Sequence, residues 1–495
     1  MFDAILQALA GPTEAINALF KVLEKPVGTI DSFVWGPWLI ALLVGGHLFL
    51  TFRTGFIQRK LPTAIKLSFA KDPDAEGDIS QFGALATALS ATIGTGNIVG
   101  VATAILSGGP GAVLWMWLIG VVGIATKYSE TYVAVKYRVK DHEGKMLGGA
   151  MYAWVRGFMK DGKAPLWALV GAGLFAFFAA FASFGIGSAV QASSVTTVIT
   201  ESFPAIPAWA VGAVLVVLVS LVLFGGIKSI ARVSEAIVPV MAIVYALGCL
   251  VIIGINHAYV GPAIVEIVKS AFTPSAAFGG ALGGGLAAAL RYGAARGLFS
   301  NESGMGSAPI AASAATTRNP ARQALVSMTG TFWDTVVICA LTGLVLVSTM
   351  LAHEPEFSAK LAEGGFAAGG ALTSWAFATI PYVGKPILVF GMALFSFSTI
   401  LGWSYYGNRA VAYLFGRHAV VPYQILYVIV AFLGAVGIAG VVWDMSDIAN
   451  ALMAVPNIIV VLLLSGVIAR ETKHYVWENN LDEANTDEIP LMENK

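Results

Sequence analysis

The amino-acid sequence predicts an all-α integral membrane protein with about eleven transmembrane helices. Two sets of five helices are expected to form an inverted repeat behind one extra N-terminal helix. Apolar residues make up 57% of the 495 residues and charged residues only 12%, with a mean hydropathy of +0.77. Soluble domains carry about 25% charged residues, so a soluble globular protein is excluded. The distribution of lysine and arginine, and glycine-rich interruptions in two spans, supply the rest of the prediction.

Long apolar runs mark the predicted spans, because a membrane-crossing helix needs about 20 apolar residues. Their predicted limits are 33–51, 82–106, 110–135, 166–199, 207–225, 235–255, 278–305, 323–352, 384–407, 424–442 and 447–469. These spans divide the chain into five segments: an interfacial extracellular or periplasmic segment at 1–32, the first helix with its cytoplasmic loop at 33–81, a first repeat at 82–255, a second repeat at 256–470 and an acidic cytoplasmic tail at 471–495.

Lysine and arginine predict the orientation, because the short cytoplasmic connections of membrane proteins carry an excess of both. Alternate connections of this chain divide these residues in a ratio of about four to one. We therefore expect a multi-pass protein of the cell membrane (inner or plasma membrane), with its N-terminus outside and its C-terminus in the cytoplasm. The formal net charge of zero argues against a nucleic-acid partner.

The second span contains an interruption at Ile93–Asn97, within the stretch SATIGTGNIVGVATAI at 90–105. Glycine and threonine are weak helix formers, and an asparagine side chain in lipid is costly unless it faces a cavity. Unwound backbone here would free carbonyl groups for a cation and N–H groups for a carboxylate. Alternatively, the glycines only permit close helix packing. For Gly100, Gly108 and Gly109 this packing role explains the glycines as well as a direct role in binding does.

The seventh span has a similar interruption at Leu298–Gly306, within GAARGLFSNESGMGSAPIAASAA at 293–315. The second and seventh spans lie five spans apart, so they cross the membrane in opposite directions. Paired interrupted spans of opposite direction indicate an inverted repeat, and they point to the binding site of a transporter.

Four motifs resemble those of a known family: GTGNIVGVATAI at 94–105, GGPGAVLWMW at 108–117, ARGLFSNESGMGSAPIA at 295–311 and FSFSTILGWSYYG at 395–407. Over residues 33–470 the chain resembles the alanine or glycine:cation (sodium) symporters. This family lies in the amino acid–polyamine–organocation superfamily, which has the leucine-transporter fold. Ser303 stands where many members have alanine. The resemblance implies import of a small neutral amino acid, alanine or glycine, together with sodium as the co-transported ion.

The resemblance also implies a set of residues around the amino acid: Thr95, Gly96 and Asn97 at its carboxylate, Phe299 and Ser300 along the second break, Gln191 as a further polar contact and Trp403 as one wall of the pocket. For sodium it implies the hydroxyls of Ser398 and Thr399, with carbonyl groups of Thr92 and Ile93 completing the site.

Two of these assignments have alternatives. The Ser398 and Thr399 hydroxyls could bond back to carbonyls of their own helix, as is common in membrane helices. Trp403 lies one helical turn after Thr399 and could be an ordinary packing residue. If it faces the cavity, it leaves room for little beyond glycine or alanine. An added methylene changes binding by only about 1–3 kcal/mol, so larger side chains would have to be excluded sterically.

Several ionisable residues lie within or beside the spans, and intramembrane charges are functional candidates. Arg296 and Glu302 flank the second break and are candidate gating residues. A structural pairing role is equally compatible with these two residues and with Lys127, Glu130 and Asp334. The sequence contains no metal-ligand cluster, nucleophile–base pair or phosphate-binding loop, so an enzyme is not expected. A proton-coupled transporter or an exchanger of the same fold is the nearest alternative, ahead of a channel or a sensor.

Overall fold

The computed structural model describes residues 22–72, 75–273, 286–366, 369–437 and 440–492. Most of the predicted interfacial segment 1–32 and residues 278–285 of the predicted seventh span lie outside the described residues. Within them the chain is almost entirely helical. A two-stranded antiparallel sheet, β1 (Val139–Lys140) and β2 (Met146–Leu147), lies between two helices.

Among the described residues, a helical stretch at 22–34 comes first, and ten further α-helices precede residue 256. They are α1 (Pro37–Arg53), α2 (Leu61–Ser68), α3 (Gln81–Thr92), α4 (Val101–Gly108), α5 (Ala112–Lys136), α6 (Ala150–Gly157), α7 (Leu166–Phe184), α8 (Val190–Ser202), α9 (Ala208–Leu223) and α10 (Gly226–Ile255).

Eleven further helices follow among the described residues. They are α11 (His257–Ser270), α12 (Leu286–Asn301), α13 (Ala308–Ala312), α14 (Pro320–Thr331), α15 (Ala340–Ala352), α16 (Glu354–Ala362), α17 (Gly369–Phe377), α18 (Gly384–Phe415), α19 (Val420–Val436), α20 (Gly440–Leu463) and α21 (Ser465–Thr472).

Four π-helical segments interrupt or extend these helices. Their bounds are Gly96–Gly100, Gly185–Ala189, Phe332–Cys339 and Lys473–Trp477. A π segment holds one extra residue within the helical ladder, which re-aims the side chains beside it. The first three lie within the predicted spans. The segments Gly96–Gly100 and Phe332–Cys339 contact each other near the breaks, and Gly185–Ala189 contacts α18, which packs against α3.

Eight described helices are long and apolar enough to cross a membrane, or nine when one bent pair counts as a single span. That pair is Gln81–Thr92 and Gly96–Gly108, whose axes differ by 51°. Of the other predicted spans, 207–225 corresponds to α9, an apolar helix of 16 residues, and 278–305 is represented by α12 and the turn after it. The count of eleven spans stays a prediction.

The first break begins where α3 ends. Ser80 starts this helix, because its hydroxyl accepts a hydrogen bond of 2.8 Å from the Gly83 N–H. At the other end Ile93 leaves the helical conformation, with a ψ of 95°. The chain becomes helical again at Gly96, so the bend falls within the predicted interruption.

The second break separates α12 from α13. After Asn301 the backbone enters the left-handed region at Glu302, Gly304 and Gly306, with φ values of 53°, 88° and 80°. Glu302 is not a glycine, so this conformation costs roughly 1–2 kcal/mol and requires support from its neighbours. The two halves of this broken helix are therefore joined by a compact turn.

Long-range packing brings the two broken helices together. Helix α3 packs against α10 and α18, and α12 packs against α4 and α5. The π segment Phe332–Cys339 touches both α12 and the π segment Gly96–Gly100. The two broken helices consequently lie close to each other inside a helical core.

Candidate functional site

The two breaks are in direct contact at Gly96. A Cβ atom placed on this residue would lie 3.3 Å from Ser300 Cα and 3.5 Å from Phe299 Cδ1. A side chain here would fit only if the last turn of α12 moved by a few tenths of an ångström. The structure thus brings together Gly96, Phe299 and Ser300, which the sequence analysis assigned to one pocket.

Asn97 is fully buried and connects the first break to a neighbouring helix. Its side-chain oxygen accepts a hydrogen bond of 2.9 Å from the Gly94 N–H, one of the backbone groups left free by the break. Its side-chain nitrogen donates to Asp334 Oδ1 at 2.7 Å and to the Asp334 carbonyl at 3.2 Å. Asn97 therefore acts as a bridge between the unwound backbone and a carboxylate.

Asp334 joins the two breaks. Besides the bond from Asn97, its Oδ2 accepts hydrogen bonds from Ser300 Oγ at 2.9 Å and from Thr335 Oγ1 at 2.7 Å. The side chain is completely buried. Within the described part of the chain, no lysine, arginine or histidine nitrogen lies within 4.0 Å of this carboxylate.

A buried carboxylate that has only neutral partners carries a large desolvation penalty. A monovalent cation beside it, or a proton on it, removes that penalty. From the sequence, Asp334 is one of several ionisable residues within the spans, and it is not predicted to lie in the site. The available signal was a single acidic residue in the apolar span that follows the broken seventh span.

Two buried oxygen atoms face Gly94 from other helices. A Cβ atom on Gly94 would lie 2.7 Å from Thr399 Oγ1 and 3.5 Å from Gln191 Oε1. Neither oxygen has a hydrogen-bond partner among the described residues. Gln191 is held by its nitrogen, which donates to Thr95 Oγ1 at 3.2 Å and to the Ile186 carbonyl at 3.1 Å. Oxygen atoms of this kind suit a sodium ion or an ammonium group.

The other residues assigned to sodium differ in their contacts. Ser398 donates to the Phe395 carbonyl of its own helix at 3.0 Å, and its Oγ lies 3.4 Å from the Ser90 carbonyl in α3. Thr92 bonds to the Ala88 carbonyl of its own helix at 3.2 Å. Ile93 is buried at the point where α3 unwinds. Among the four residues, Thr399 is thus the one with an unpartnered hydroxyl beside the break.

Trp403 is completely buried on α18, one turn after Thr399. Its ring centroid lies 5.6 Å from that of Tyr406 in an edge-on arrangement, and a Cβ atom on Gly187 would collide with Trp403. The indole N–H has no hydrogen-bond partner among the described residues. A buried indole N–H usually has one, so this group can serve a bound molecule.

A second set of charges holds the turn at the second break. Lys127 Nζ lies 3.0 Å from Glu130 Oε1 and donates to the Glu302 carbonyl at 2.9 Å. Glu130 Oε2 accepts hydrogen bonds from the N–H groups of Gly304 and Gly306 at 3.0 and 3.2 Å. Lys127 and Glu130 on α5 therefore form an ion pair with each other and also stabilise the left-handed turn.

The two candidate gating residues have separate partners. Arg296 lies 3.8 Å from Asp447 Oδ2 on α20, and its guanidinium carbon lies 5.8 Å from the Phe299 ring centroid. The Glu302 carboxylate accepts a hydrogen bond from Ser307 within its own turn. The contacts of the described residues do not join Arg296 to Glu302, and the gating role of both stays a prediction.

Comparison with known proteins agrees with this geometry. Residues 20–489 match the model of the sodium:alanine symporter family. A sodium/alanine symporter of Methanococcus maripaludis, AgcS, is 48% identical over 452 residues, which cover 91% of this chain and 96% of that protein. An uncharacterized transporter of Haemophilus influenzae is 47% identical over 470 residues, covering 94% and 99% of the two chains.

A crystal structure of MhsT in complex with L-phenylalanine is similar with a TM-score of 0.56 and 14% identity, covering 82% of this chain and 95% of that one. This similarity shows a common fold, that of the leucine transporter. The family match shows a multi-pass membrane transporter of amino acids rather than an enzyme. On this evidence, the chain belongs to the sodium:alanine symporter family.

Proposed function

We propose that the protein is a sodium-coupled symporter that imports a small neutral amino acid, alanine or glycine, by alternating access. One observation carries this proposal: the polar groups at two contacting helix breaks converge with the buried Asp334 carboxylate. A zwitterion needs donors for its carboxylate and acceptors for its ammonium group. Backbone N–H groups near Thr95 and Gly96 supply the donors, and the Gln191 oxygen is an acceptor of suitable kind.

Sodium binds next to the amino acid in this proposal. Thr399 Oγ1 faces Gly94 and has no partner among the described residues, and the carbonyl of Ile93 follows the last helical turn of α3. Hard oxygen ligands of this type suit a monovalent cation. Sodium at this position would fix the first break in one conformation and so favour binding of the amino acid.

Asp334 gives the site a negative charge in the same proposal. Because Asn97 bonds both to this carboxylate and to Gly94, a cation near Asp334 would also influence the first break. This is a coupling between two ligands through a shared element. A proton on Asp334 would act through the same contacts, and this is the specific observation behind the proton-coupled alternative.

The size limit of the amino acid is assigned to Trp403. Its full burial one turn from Thr399, together with its unpartnered indole N–H, supports a position at the pocket wall.

The proposed orientation in the cell membrane has the N-terminus outside and the C-terminus in the cytoplasm, because of the distribution of lysine and arginine. The residue roles predicted for Thr95, Gly96, Asn97, Gln191, Phe299 and Ser300 are part of this proposal.

The experiment is uptake of radiolabelled alanine and glycine into proteoliposomes under imposed gradients. Uphill uptake is expected with an inward sodium gradient and should stop when choline replaces sodium at constant pH. Unlabelled alanine and glycine should compete, whereas leucine and phenylalanine should not. Uptake that ignores sodium but collapses without a pH gradient would establish proton coupling instead.

A further inference from the structure

The ends of the two broken helices that are predicted to face the cytoplasm are bound to each other. The N–H groups of Asp78 and Ile79, just before α3, donate to the Ala314 carbonyl after α13 at 2.8 and 3.2 Å. In return the Thr316 N–H donates to the Ile79 carbonyl at 2.8 Å. These backbone bonds form a short parallel bridge between Ile79 and Ala315. The chain on the cytoplasmic side of one break is thereby joined to that of the other.

Arg138 closes the same junction from a third segment. Its guanidinium group donates to the carbonyls of Ser313 and Ala315 at 3.2 and 2.8 Å, and to the Glu76 carbonyl at 3.0 Å. The residue is only 4% exposed. Burial lowers its pKa to about 10, so the group stays charged at neutral pH. A planar guanidinium is suited to hold several carbonyl groups at once.

The segment 478–492 lies across this junction and binds its flanks. Within it, Leu491 pairs in parallel with Lys140, through a bond of 2.9 Å from the Lys140 N–H to the Pro490 carbonyl and one of 2.7 Å from the Met492 N–H to the Lys140 carbonyl. Lys140 is two residues from Arg138. Because backbone groups make these contacts, the segment adds a strand to the edge of the β1–β2 sheet.

The other end of the segment binds the connection between α13 and α14. Asn319 donates to the carbonyls of Leu481 and Glu483 at 2.9 and 2.8 Å, and Arg322 pairs with Asp482 at 2.8 Å. Between the two ends, Lys136 at the end of α5 pairs with Asp487 at 2.8 Å. The segment thus spans from the predicted first repeat to the predicted second repeat.

We propose that Arg138 and the segment 478–492 form a latch on the cytoplasmic gate, which must be released before the site opens inward. This inference rests on the proposed alternating access, because inward opening requires the ends of the two broken helices to separate. Residues 313–316 cannot leave Ile79 while Arg138 holds them. Arg138 in turn is held through Lys140 by the docked segment. Docking of the segment consequently sets the balance between the outward-facing and inward-facing states.

The test uses a full-length variant with cysteines at Lys140 and Leu491. Paired strands lie about 4.8 Å apart, which is within the Cα separation that a disulfide spans. Oxidation should reduce sodium-driven alanine uptake at least about tenfold, reduction should restore it, and alanine binding should persist in the oxidised protein. Because sodium is proposed to favour the outward-facing state, in which the segment is docked, sodium should accelerate crosslinking.

A matched control is a pair of cysteines at Lys160 and Lys163, which form an antiparallel bridge on the predicted cytoplasmic side. Among the described residues, neither lysine has a hydrogen bond or ion pair with the segment 478–492. Oxidation of this pair should leave uptake unchanged. The latch would be disproved if the Lys140–Leu491 disulfide formed fully and uptake continued at its former rate. It would equally be disproved if this disulfide never formed, or formed at a rate indifferent to sodium and alanine. Wild-type uptake in the same vesicles tests the proposed function separately.

Discussion

The side-chain amide of Asn97 donates a hydrogen bond of 2.7 Å to Asp334 Oδ1, although 237 residues separate the two. The same asparagine accepts a hydrogen bond from the Gly94 N–H. A change of charge at Asp334 therefore reaches the backbone of the first break through one side chain. This relationship makes Asp334 the first residue to test.

The variant Asp334→Asn keeps the shape of the side chain and removes its charge. Sodium-driven alanine uptake should fall at least about tenfold, and binding of alanine should lose its dependence on sodium. Both are measured on purified protein, in vesicles and by calorimetry at several sodium concentrations. The control is Glu266→Gln, since Ser270 on the same helix α11 is the one hydrogen-bond partner of the Glu266 carboxylate among the described residues. Unchanged sodium dependence in Asp334→Asn would remove this carboxylate from the mechanism.

The variant Thr399→Val replaces the unpartnered hydroxyl by a methyl group of similar size. Because no hydrogen bond is lost, the free energy of unfolding should change by less than about 1 kcal/mol. The sodium concentration for half-maximal uptake should rise at least about tenfold. Ser404→Ala is the matched control on the same helix, because Ser404 bonds to the Leu401 carbonyl. Equal sodium responses in the two variants would argue against a sodium ligand at Thr399.

Two glycines near the first break allow a steric comparison. A methyl group in Gly94→Ala would press against Thr399 Oγ1 at 2.7 Å, whereas one in Gly100→Ala would meet no atom within 4 Å. Gly94→Ala should lower the free energy of unfolding by about 1–3 kcal/mol and abolish uptake. Gly100→Ala should retain the stability and the uptake of the wild type. Stability is measured by thermal unfolding in detergent, and uptake is measured in vesicles. Loss of activity in Gly100→Ala alone would contradict the packing around Gly94.

A smaller residue at 403 should widen the range of transported amino acids. In Trp403→Phe and Trp403→Ala, the inhibition of alanine uptake by leucine should strengthen about tenfold or more relative to the wild type. Trp333→Ala is the control, because Trp333 is 38% exposed on a helix surface. Trp403→Phe retains much of the packing, so selectivity can be read even if Trp403→Ala unfolds. Unchanged competition by leucine in a folded variant would place Trp403 outside the pocket wall.

Local sequence features were sufficient to predict the breaks. Glycine and threonine at 94–96 lower helix propensity within a span, and the helix ends at Thr92 as this composition suggests. At the second break, the glycines at 304 and 306 adopt the left-handed backbone that glycine permits. Both signals lie within a few residues of the feature that they predict.

The partners across the site could not be predicted in this way. Asp334 meets Asn97 and Ser300 because of the packing of three helices, and no local pattern specifies that contact. The same holds for Glu130, whose carboxylate binds the N–H groups of Gly304 and Gly306 from another helix. The i,i+3 spacing of Lys127 and Glu130 is compatible with the ion pair that they form, but it does not specify the turn that the pair supports.

The π segment Phe332–Cys339 has a consequence for insertions and deletions in this chain. Removal of one residue there could be absorbed by a change to ordinary α-helix, because a π segment contains one residue more than the α-helical path. The part of the helix beyond the deletion would then keep both its hydrogen bonds and its rotational position, whereas the same deletion in ordinary α-helix would turn it by about 100°. A one-residue deletion in this segment would therefore leave the flanking helix faces and the membrane span intact, and would change only the local bulge that carries Asp334.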